Sequence, residues 1–171
     1  MGLKVIIEPK KGYGNAILRG IDSSKGQIIV IMDSDYTYPA FYIPRLISPL
    51  LKGDADLSLG NRLSHISLDS MKISHLFGNK FLTLIFNFLF FNKIKDSQTG
   101  FRAFYKDIFK KMNIKNRGIF QPTEILVKAL KLNLRIKETT INYRPRIGQS
   151  KLNPLRDGFL ILLKMIINRF I

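Results

Sequence analysis

Two aspartates separated by one serine stand at the end of an apolar run, in the segment GQIIVIMDSDYTYP. The run over residues 28–32 is typical of a buried strand, so Asp33 and Asp35 can face the same side only if the chain turns after it. Two carboxylates in that position are hard oxygen ligands for Mg²⁺ or Mn²⁺, with phosphates of a bound molecule supplying further ligands. The alternative is an aspartate-rich turn that caps the next helix, and the pair by itself favours that turn.

A glycine-rich turn, KKGYGNAILRG, precedes the aspartate pair. Lys11, Gly12, Gly14 and Asn15 would open a helix, and the backbone N–H groups and positive end of a helix N-terminus bind anions. The stretch is neither a Walker A nor a dinucleotide-binding fingerprint, so a simple turn is the alternative.

The elements that must position these residues alternate along the chain. The pattern predicts strands and helices at residues 3–7 (strand), 15–21 (helix), 28–32 (strand), 43–53 (helix, which Pro49 could shorten) and 54–62 (strand). Beyond these we expect one long helix or two joined helices at 71–91, a strand at 99–105, a helix at 123–133, a strand at 134–144 and a basic loop at 144–154. This order favours an α/β fold with a mostly parallel sheet, which binds ligands at the carboxyl ends of its strands. No internal repeat or linker interrupts it, which predicts a single domain over residues 1–153 followed by an amphipathic helix over residues 154–171.

The chain is strongly basic. It carries 28 Lys+Arg against 12 Asp+Glu, a formal net charge of +16, which indicates an anionic partner such as nucleic acid, an acidic membrane surface or a phosphorylated substrate. It has no cysteine, which excludes a disulfide framework and a thiolate zinc site.

Two segments, residues 81–91 and 159–171, are much more apolar than the rest. Neither reaches the roughly 20 apolar residues that cross a bilayer. The second keeps Lys164, Asn168 and Arg169 among its apolar positions. It fits a helix lying in a membrane interface and a buried amphipathic helix equally well.

Six stretches, in order along the chain, resemble the family 2 glycosyltransferases of the dolichyl- and polyprenyl-phosphate sugar synthase type. They are KGYGNAILRG, IVIMDSDYTYP, DADLSLGNRL, HLFGNKFLT, DSQTGFRAF, and YRPRIGQSKL with its following DG. The resemblance implies a GT-A-like nucleotide-diphospho-sugar transferase domain. It further implies a metal-dependent enzyme that transfers a sugar from a GDP- or UDP-sugar to a polyprenyl phosphate.

The same resemblance implies roles for single residues. Asp33 and Asp35 would hold Mg²⁺ or Mn²⁺ against the diphosphate, and Asp96 of the D-x-x-T-G-F-R motif would be the catalytic residue. Because a polyprenyl phosphate is already anionic, we expect Asp96 to position the acceptor more than to remove a proton. Residues of the glycine turn would contact the nucleotide-sugar, and basic residues with one serine would hold the acceptor phosphate and the diphosphate: Arg62, Arg144, Arg146, Ser150 and Lys151. Glu124 has two possible interpretations: a contact to the sugar, or an acidic residue in the first turn of a helix, where the helix dipole favours it.

The chain departs from the family at its beginning. The family starts with a strand-helix-strand unit that carries the base and ribose site, and the stretch VIIEPKKGYG has no such motif. We therefore expect an N-terminally truncated domain: a fragment, a split enzyme completed by a partner chain, or a degenerate relative.

The function predicted first is sugar transfer at the cytoplasmic face of a membrane by a peripheral protein. The alternative is a non-catalytic module of the same fold that binds a membrane or a partner chain. Nucleic-acid binding ranks last, because the sequence contains no RNP, helix-turn-helix or zinc-binding pattern.

Overall fold

A four-stranded sheet lies at the centre of the protein. The computed structural model describes residues 3–66, 69–149 and 153–170. Its strands are β1 (Ile28–Ile31), β2 (Leu57–Asn61), β3 (Arg102–Tyr105) and β4 (Ile136–Thr140), in the order β1-β3-β2-β4. β3 runs antiparallel to β1 and β2, and β4 runs parallel to β2. The predicted α/β class is confirmed, with three strands in one direction, and the antiparallel β3 between two of them is a feature that the sequence pattern did not predict.

Helices cover both faces of this sheet. They are α1 (Tyr13–Ser23), α2 (Ile43–Leu51), α3 (Ile73–Phe90), α4 (Lys106–Met112), α5 (Gln121–Lys131) and α6 (Pro154–Phe170). Along β1, Ile29 and Ile31 join the apolar cluster that includes residues of α1 and α3 to α6, whereas Ile28 and Val30 pack against the cluster built on α2. Successive strand side chains point to opposite faces, so apolar residues throughout β1 are what a sheet covered on both sides requires.

The strand predicted at residues 3–7 is wrong. Residues 3–9 have no regular secondary structure, and the side chains of Leu3, Val5 and Ile7 are 98%, 84% and 79% exposed. A strand needs a neighbour to accept its backbone hydrogen bonds, and no strand among the described residues pairs with this segment. The segment therefore has apolar residues suited to a strand but lacks the sheet contact that would make it one.

Two predictions about helices are decided by the structure. Pro49 lies inside α2 and does not shorten it, since the helix continues to Leu51. The region predicted as one helix or two is the single helix α3.

The register of the sheet brings distant parts of the sequence to one end of it. Arg102, the first residue of β3, lies opposite Ile31 at the end of β1 and opposite Leu59 near the end of β2. Asn61, the last residue of β2, lies opposite Thr140, the last residue of β4. The segments that follow β1, β2 and β4 and the segment that precedes β3 therefore meet at the same end of the sheet.

α3 and α6 pack against each other and leave a broad apolar surface. We call it the α3–α6 surface; the exposed residues on it are Ile73, Phe77, Phe81, Leu84, Phe88, Leu155, Phe159, Leu160, Leu163, Ile166, Ile167 and Phe170. On its other side α6 buries Ile161 and Met165 in the core, so the helix is amphipathic. Within the described ranges, α3 is the one helix long and apolar enough to cross a membrane, judged by length and composition only.

Candidate active site

Asp33 lies just beyond β1 with its carboxylate largely enclosed. A Cβ atom on Gly100 would lie 2.6 Å from Asp33 Oδ2, so the carboxylate packs directly against the backbone of the loop before β3. Burial raises the pKa of Asp33, the Asp35 carboxylate raises it further, and three arginines lower it only in part. In the part of the chain that the structure describes, Asp33 has no hydrogen-bond or ion-pair partner.

Asp35 is held on both sides. Thr37 donates from its backbone N and its Oγ1 to Asp35 Oδ1, at 3.2 and 2.5 Å, and Arg146 Nη2 lies 2.5 Å from Asp35 Oδ2. Burial alone would raise the pKa of Asp35, but the hydrogen bonds from Thr37 and the charge of Arg146 lower it below its usual value. Asp35 is therefore ionised near neutral pH.

The aspartate pair fits a divalent cation. Two neighbouring carboxylates, one of them partly buried and without a compensating charge bound to it, repel each other, and a cation between them would remove that repulsion. No group of three or more His, Cys, Asp or Glu side chains that could hold a metal occurs within residues 3–66, 69–149 and 153–170. The two aspartates thus suit Mg²⁺ or Mn²⁺, which take few protein carboxylates and complete their coordination with water and phosphate oxygens.

Arg62 and Asp96 face each other at this end of the sheet. Arg62 donates from Nε to Asp96 Oδ2 at 2.7 Å and from Nη2 to Oδ1 at 2.8 Å, and its backbone N donates to Oδ2 at 3.0 Å. Burial by itself would lower the pKa of Arg62, but the Asp96 charge raises it above its ordinary value. Both oxygens of Asp96 accept hydrogen bonds from Arg62, and its role toward the acceptor stays a prediction.

Glu138 of β4 supports the Asp96 loop from behind. Its carboxylate accepts the backbone N–H of Lys95 and that of Asp96, at 2.9 to 3.0 Å. Burial raises the pKa of Glu138, and these two hydrogen bonds lower it only in part. Glu138 carries no distinguishing signal in the sequence, because a buried glutamate in a strand cannot be told from a solvent-exposed one by its neighbours along the chain.

Arg102 fixes the shape of the loop that carries Asp96. It is fully buried and donates to the backbone O of Thr99 at 2.8 Å, of Ser97 at 3.0 Å and of Pro122. Burial lowers its pKa to about 10. Arg102 is the arginine of the TGFRAF stretch, and no role was predicted for it.

Tyr38 connects three of the predicted motifs. Its Oη accepts the backbone N–H of Gly100 at 2.8 Å, and its ring contacts those of Phe101 and Tyr143 at centroid distances of 5.4 and 5.3 Å. It therefore joins the segment after the aspartate pair to the loop before β3 and to the segment after β4. No sequence signal distinguished it from an ordinary core tyrosine.

The basic loop after β4 lies on the aspartate pair. The backbone N of Arg144 donates to Thr37 O and that of Ile147 donates to Asp35 O, both at 3.0 Å. The guanidinium of Arg144 lies over the ring of Tyr36, 4.8 Å from its centroid. Arg146 thus contacts Asp35 and Arg144 lies beside it, and their contact with phosphates stays a prediction; Ser150 and Lys151 lie outside the described residues.

The glycine turn is used for packing. Gly14 donates its N–H to Arg117 O at 3.0 Å, and a Cβ on Gly12 or Gly14 would lie within 2.8 Å of the Arg117 backbone. Asn15 Nδ2 donates to Lys11 O at 3.0 Å. These contacts account for the glycines without a ligand, so the nucleotide-sugar contact of Lys11, Gly12, Gly14 and Asn15 stays a prediction.

Two further side chains, Tyr13 and Glu124, have different surroundings. Tyr13, which the sequence analysis did not identify, lies close to the aspartate pair; burial and then the Asp33 charge raise its pKa to about 12. Glu124 accepts the backbone N–H groups of Lys115 and Asn116 at 3.0 and 2.8 Å. The carboxylate of Glu124 therefore holds the loop before α5.

The chain is similar to known glycosyltransferases. The chain is 34% identical over 167 residues to the low-salt glycan biosynthesis hexosyltransferase Agl6 of Haloferax volcanii. The aligned region covers 96% of this chain and 40% of that protein. It is 28% identical over 162 residues to a dolichyl-phosphate hexose transferase of the same organism, covering 94% of this chain and 69% of the other.

A solved structure shares the fold. Glucosyl-3-phosphoglycerate synthase from Mycobacterium tuberculosis, in complex with Mn²⁺ and uridine-diphosphate-glucose, matches with a TM-score of 0.68 and 16% identity, over 96% of this chain and 57% of the other. The chain thus spans about two fifths of the hexosyltransferase and somewhat over half of the synthase. The family model for glycosyl transferase family 2 matches residues 1–112, more than half of the 171, and the chain belongs to that family.

Proposed function

We propose that this chain forms the catalytic part of a hexosyltransferase that transfers a sugar from a GDP- or UDP-sugar to a polyprenyl phosphate. The observation that carries the proposal is the meeting of Asp33 and Asp35 with Arg62 and Arg146 at one end of the sheet. Carboxylates for a divalent cation and arginines for phosphates are the groups that such a reaction needs. Two relatives named as hexosyl or hexose transferases support the choice.

The reaction requires little proton transfer. An oxygen of the acceptor phosphate attacks the anomeric carbon and forms a new C–O bond, while the bond from that carbon to the nucleoside diphosphate breaks and its electron pair leaves with the diphosphate. Mg²⁺ or Mn²⁺, when bound, supplies a positive charge that stabilises the departing diphosphate. In this proposal Arg144 and Arg146 contact the phosphates. The buried Arg62–Asp96 pair fixes the position of the surface against which the acceptor binds.

A membrane surface is part of the proposal. The α3–α6 surface is apolar, and cations including Lys72, Lys80 and Arg156 are exposed on the same helices or next to them. An amphipathic pair of this kind suits the interface of an anionic leaflet, which is where a polyprenyl phosphate resides. We infer peripheral attachment at the cytoplasmic face.

The experiment is a calorimetric titration with UDP-glucose and GDP-mannose, with and without Mn²⁺. The wild-type chain is compared with Asp35→Ala and with Asp54→Ala, which removes an exposed carboxylate away from the site. Binding that needs Mn²⁺ and is lost only in Asp35→Ala supports the donor site, and transfer of labelled hexose to a short polyprenyl phosphate then tests the acceptor.

One observation favours a second function. Leu3, Val5 and Ile7 are strongly exposed in a short apolar segment that forms no strand. Such a segment suits pairing with another polypeptide segment, which fits a subunit completed by a partner chain. A folded chain that binds no nucleotide-sugar would favour this non-catalytic or incomplete module.

A further inference from the structure

The contact between Arg146 and Asp35 places a cation where the proposed metal would bind. Arg146 Nη2 lies 2.5 Å from Asp35 Oδ2, and the other oxygen of Asp35 accepts two hydrogen bonds from Thr37. Asp33, the other member of the pair, has no such partner among the described residues. Of the two carboxylates, Asp35 is therefore the one already neutralised from within the chain.

The backbone holds Arg146 in this position. Ile147 donates its N–H to Asp35 O and Arg144 donates its N–H to Thr37 O, so residues 144–147 run alongside residues 35–37. Gly148 follows with a φ of 92°, in the left-handed region that glycine adopts without strain, and turns the chain away. The loop is thus attached to the aspartate pair by two backbone bonds and one ion pair.

The ion pair and a metal ion at Asp35 exclude each other. A Mg²⁺ ion binds a carboxylate oxygen at about 2.0–2.1 Å, which is closer than a guanidinium nitrogen can approach. A divalent cation on Asp35 Oδ2 would lie next to the Arg146 guanidinium, and the two like charges repel. Arg146 is also 36% exposed as a side chain, so it can swing away from Asp35 without leaving a cavity.

We propose that Arg146 acts as a latch: it occupies Asp35 in the metal-free protein and moves to the diphosphate of the ligand when the divalent cation takes its place. The inference rests on the proposed metal site and adds an order of events to it. The cation binds first, the ion pair opens, and the freed guanidinium then contacts the phosphates that the cation brings in. Metal binding alone loosens the loop, and the diphosphate closes it again.

Opposite effects on two ligands distinguish the latch from an ordinary phosphate contact. In Arg146→Gln, the affinity for Mn²⁺ alone rises about two- to fivefold, because the ion pair no longer competes with Mn²⁺ for Asp35. This factor corresponds to the free energy of a partly exposed ion pair. The affinity for UDP or GDP at saturating Mn²⁺ falls roughly tenfold, because one charge-assisted contact to phosphate is lost. Arg135→Gln is the matched control, since it removes the same charge from another exposed pair, with Asp56, and changes neither affinity.

A second readout needs no diphosphate. Hydrogen exchange at the Ile147 amide, which is protected by Asp35 O, speeds up when Mn²⁺ alone is added to the wild type. In Arg146→Gln this amide exchanges faster from the start and responds little to Mn²⁺.

The outcomes separate the latch from the metal site. Equal Mn²⁺ affinity in the wild type and Arg146→Gln, with binding still lost in Asp35→Asn, overturns the latch and leaves the proposed function standing. Slower exchange at Ile147 on adding Mn²⁺ also overturns it. Absence of Mn²⁺ binding in all variants, or binding that is unchanged in Asp35→Asn, overturns both the latch and the proposed metal site.

Discussion

Arg62 and Asp96 form a buried, bidentate ion pair between the segment that follows β2 and the loop that precedes β3. Three hydrogen bonds join them, at 2.7, 2.8 and 3.0 Å, and the side chain of Asp96 is completely buried. Arg62 was predicted to hold the acceptor phosphate, and Asp96 was predicted to position the acceptor. Their contact shows that each also neutralises the other, so a substitution of either one affects the fold as well as the site.

Removing one partner of this pair should destabilise the protein more than removing both. Asp96→Ala leaves a buried guanidinium without its counter-charge, and a loss of about 3–5 kcal/mol in the free energy of unfolding is expected. The double variant Arg62→Met with Asp96→Leu has neither charge of this pair and should be more stable than Asp96→Ala, in which the Arg62 charge stays buried without its partner. Urea denaturation followed by circular dichroism measures both. A double variant no more stable than Asp96→Ala would contradict this account.

Gly100→Ala should damage the metal site and spare the fold. The new Cβ would lie 2.6 Å from Asp33 Oδ2, and since the obstructing atoms belong to a side chain, the carboxylate can move aside. We expect the affinity for Mn²⁺ to fall roughly tenfold, which corresponds to about 1.4 kcal/mol. Isothermal titration calorimetry with Mn²⁺ measures the change.

Gly78→Ala is the control for this substitution. Gly78 lies in the middle of α3 and has open space around it, so the extra methyl group meets nothing. Alanine favours the helix by roughly 1 kcal/mol, which should raise the melting temperature without altering Mn²⁺ binding. If Gly100→Ala binds Mn²⁺ as tightly as Gly78→Ala does, the packing of the Asp33 carboxylate against Gly100 does not affect cation binding.

Glu138 should make the stability of the protein depend on pH. Burial raises its pKa above the ordinary value of 4.5, so the folded state keeps the proton of Glu138 at a pH where the unfolded state has lost it. The contribution is therefore fully present below about pH 4.5 and is lost as the pH rises through the raised pKa of the folded state. Glu138→Gln does not titrate, so the unfolding free energy of the wild type relative to this variant should fall as the pH rises above about 4.5. Urea denaturation across that range measures it, and a difference that grows with pH would contradict the assignment.

The sequence indicated most of the site because the relevant residues lie next to strand ends. Asp33, Arg62 and Arg146 each lie beyond the end of a strand, and strands that share a direction carry such residues to one end of the sheet. The family resemblance, carried by six short motifs, added the metal and the phosphates.

The features that the sequence did not predict depend on partners far along the chain. Asp96 meets Arg62 across 34 residues and Glu138 across 42, and no local pattern specifies either contact. Residues 3–7 have the apolar and β-branched composition of a strand, but a strand forms only where another strand accepts its hydrogen bonds. The direction of β3 is likewise set by its neighbours, since its own residues would fit a parallel strand equally well.

Replacing the three phenylalanines Phe77, Phe81 and Phe88 of α3 by serine should weaken attachment to lipid vesicles. These side chains are 54% to 75% exposed on the α3–α6 surface, so the fold loses little when they are removed. Each buried phenylalanine is worth about 1.5–3 kcal/mol, so vesicle affinity should fall by at least roughly a hundredfold. Co-sedimentation with vesicles of mixed neutral and anionic phospholipid measures the affinity, and Leu51→Ser with Leu132→Ser, exposed apolar residues outside this surface, is the control. Equal retention of both variants would mean that α3 does not face the membrane and that the basic residues alone account for any binding.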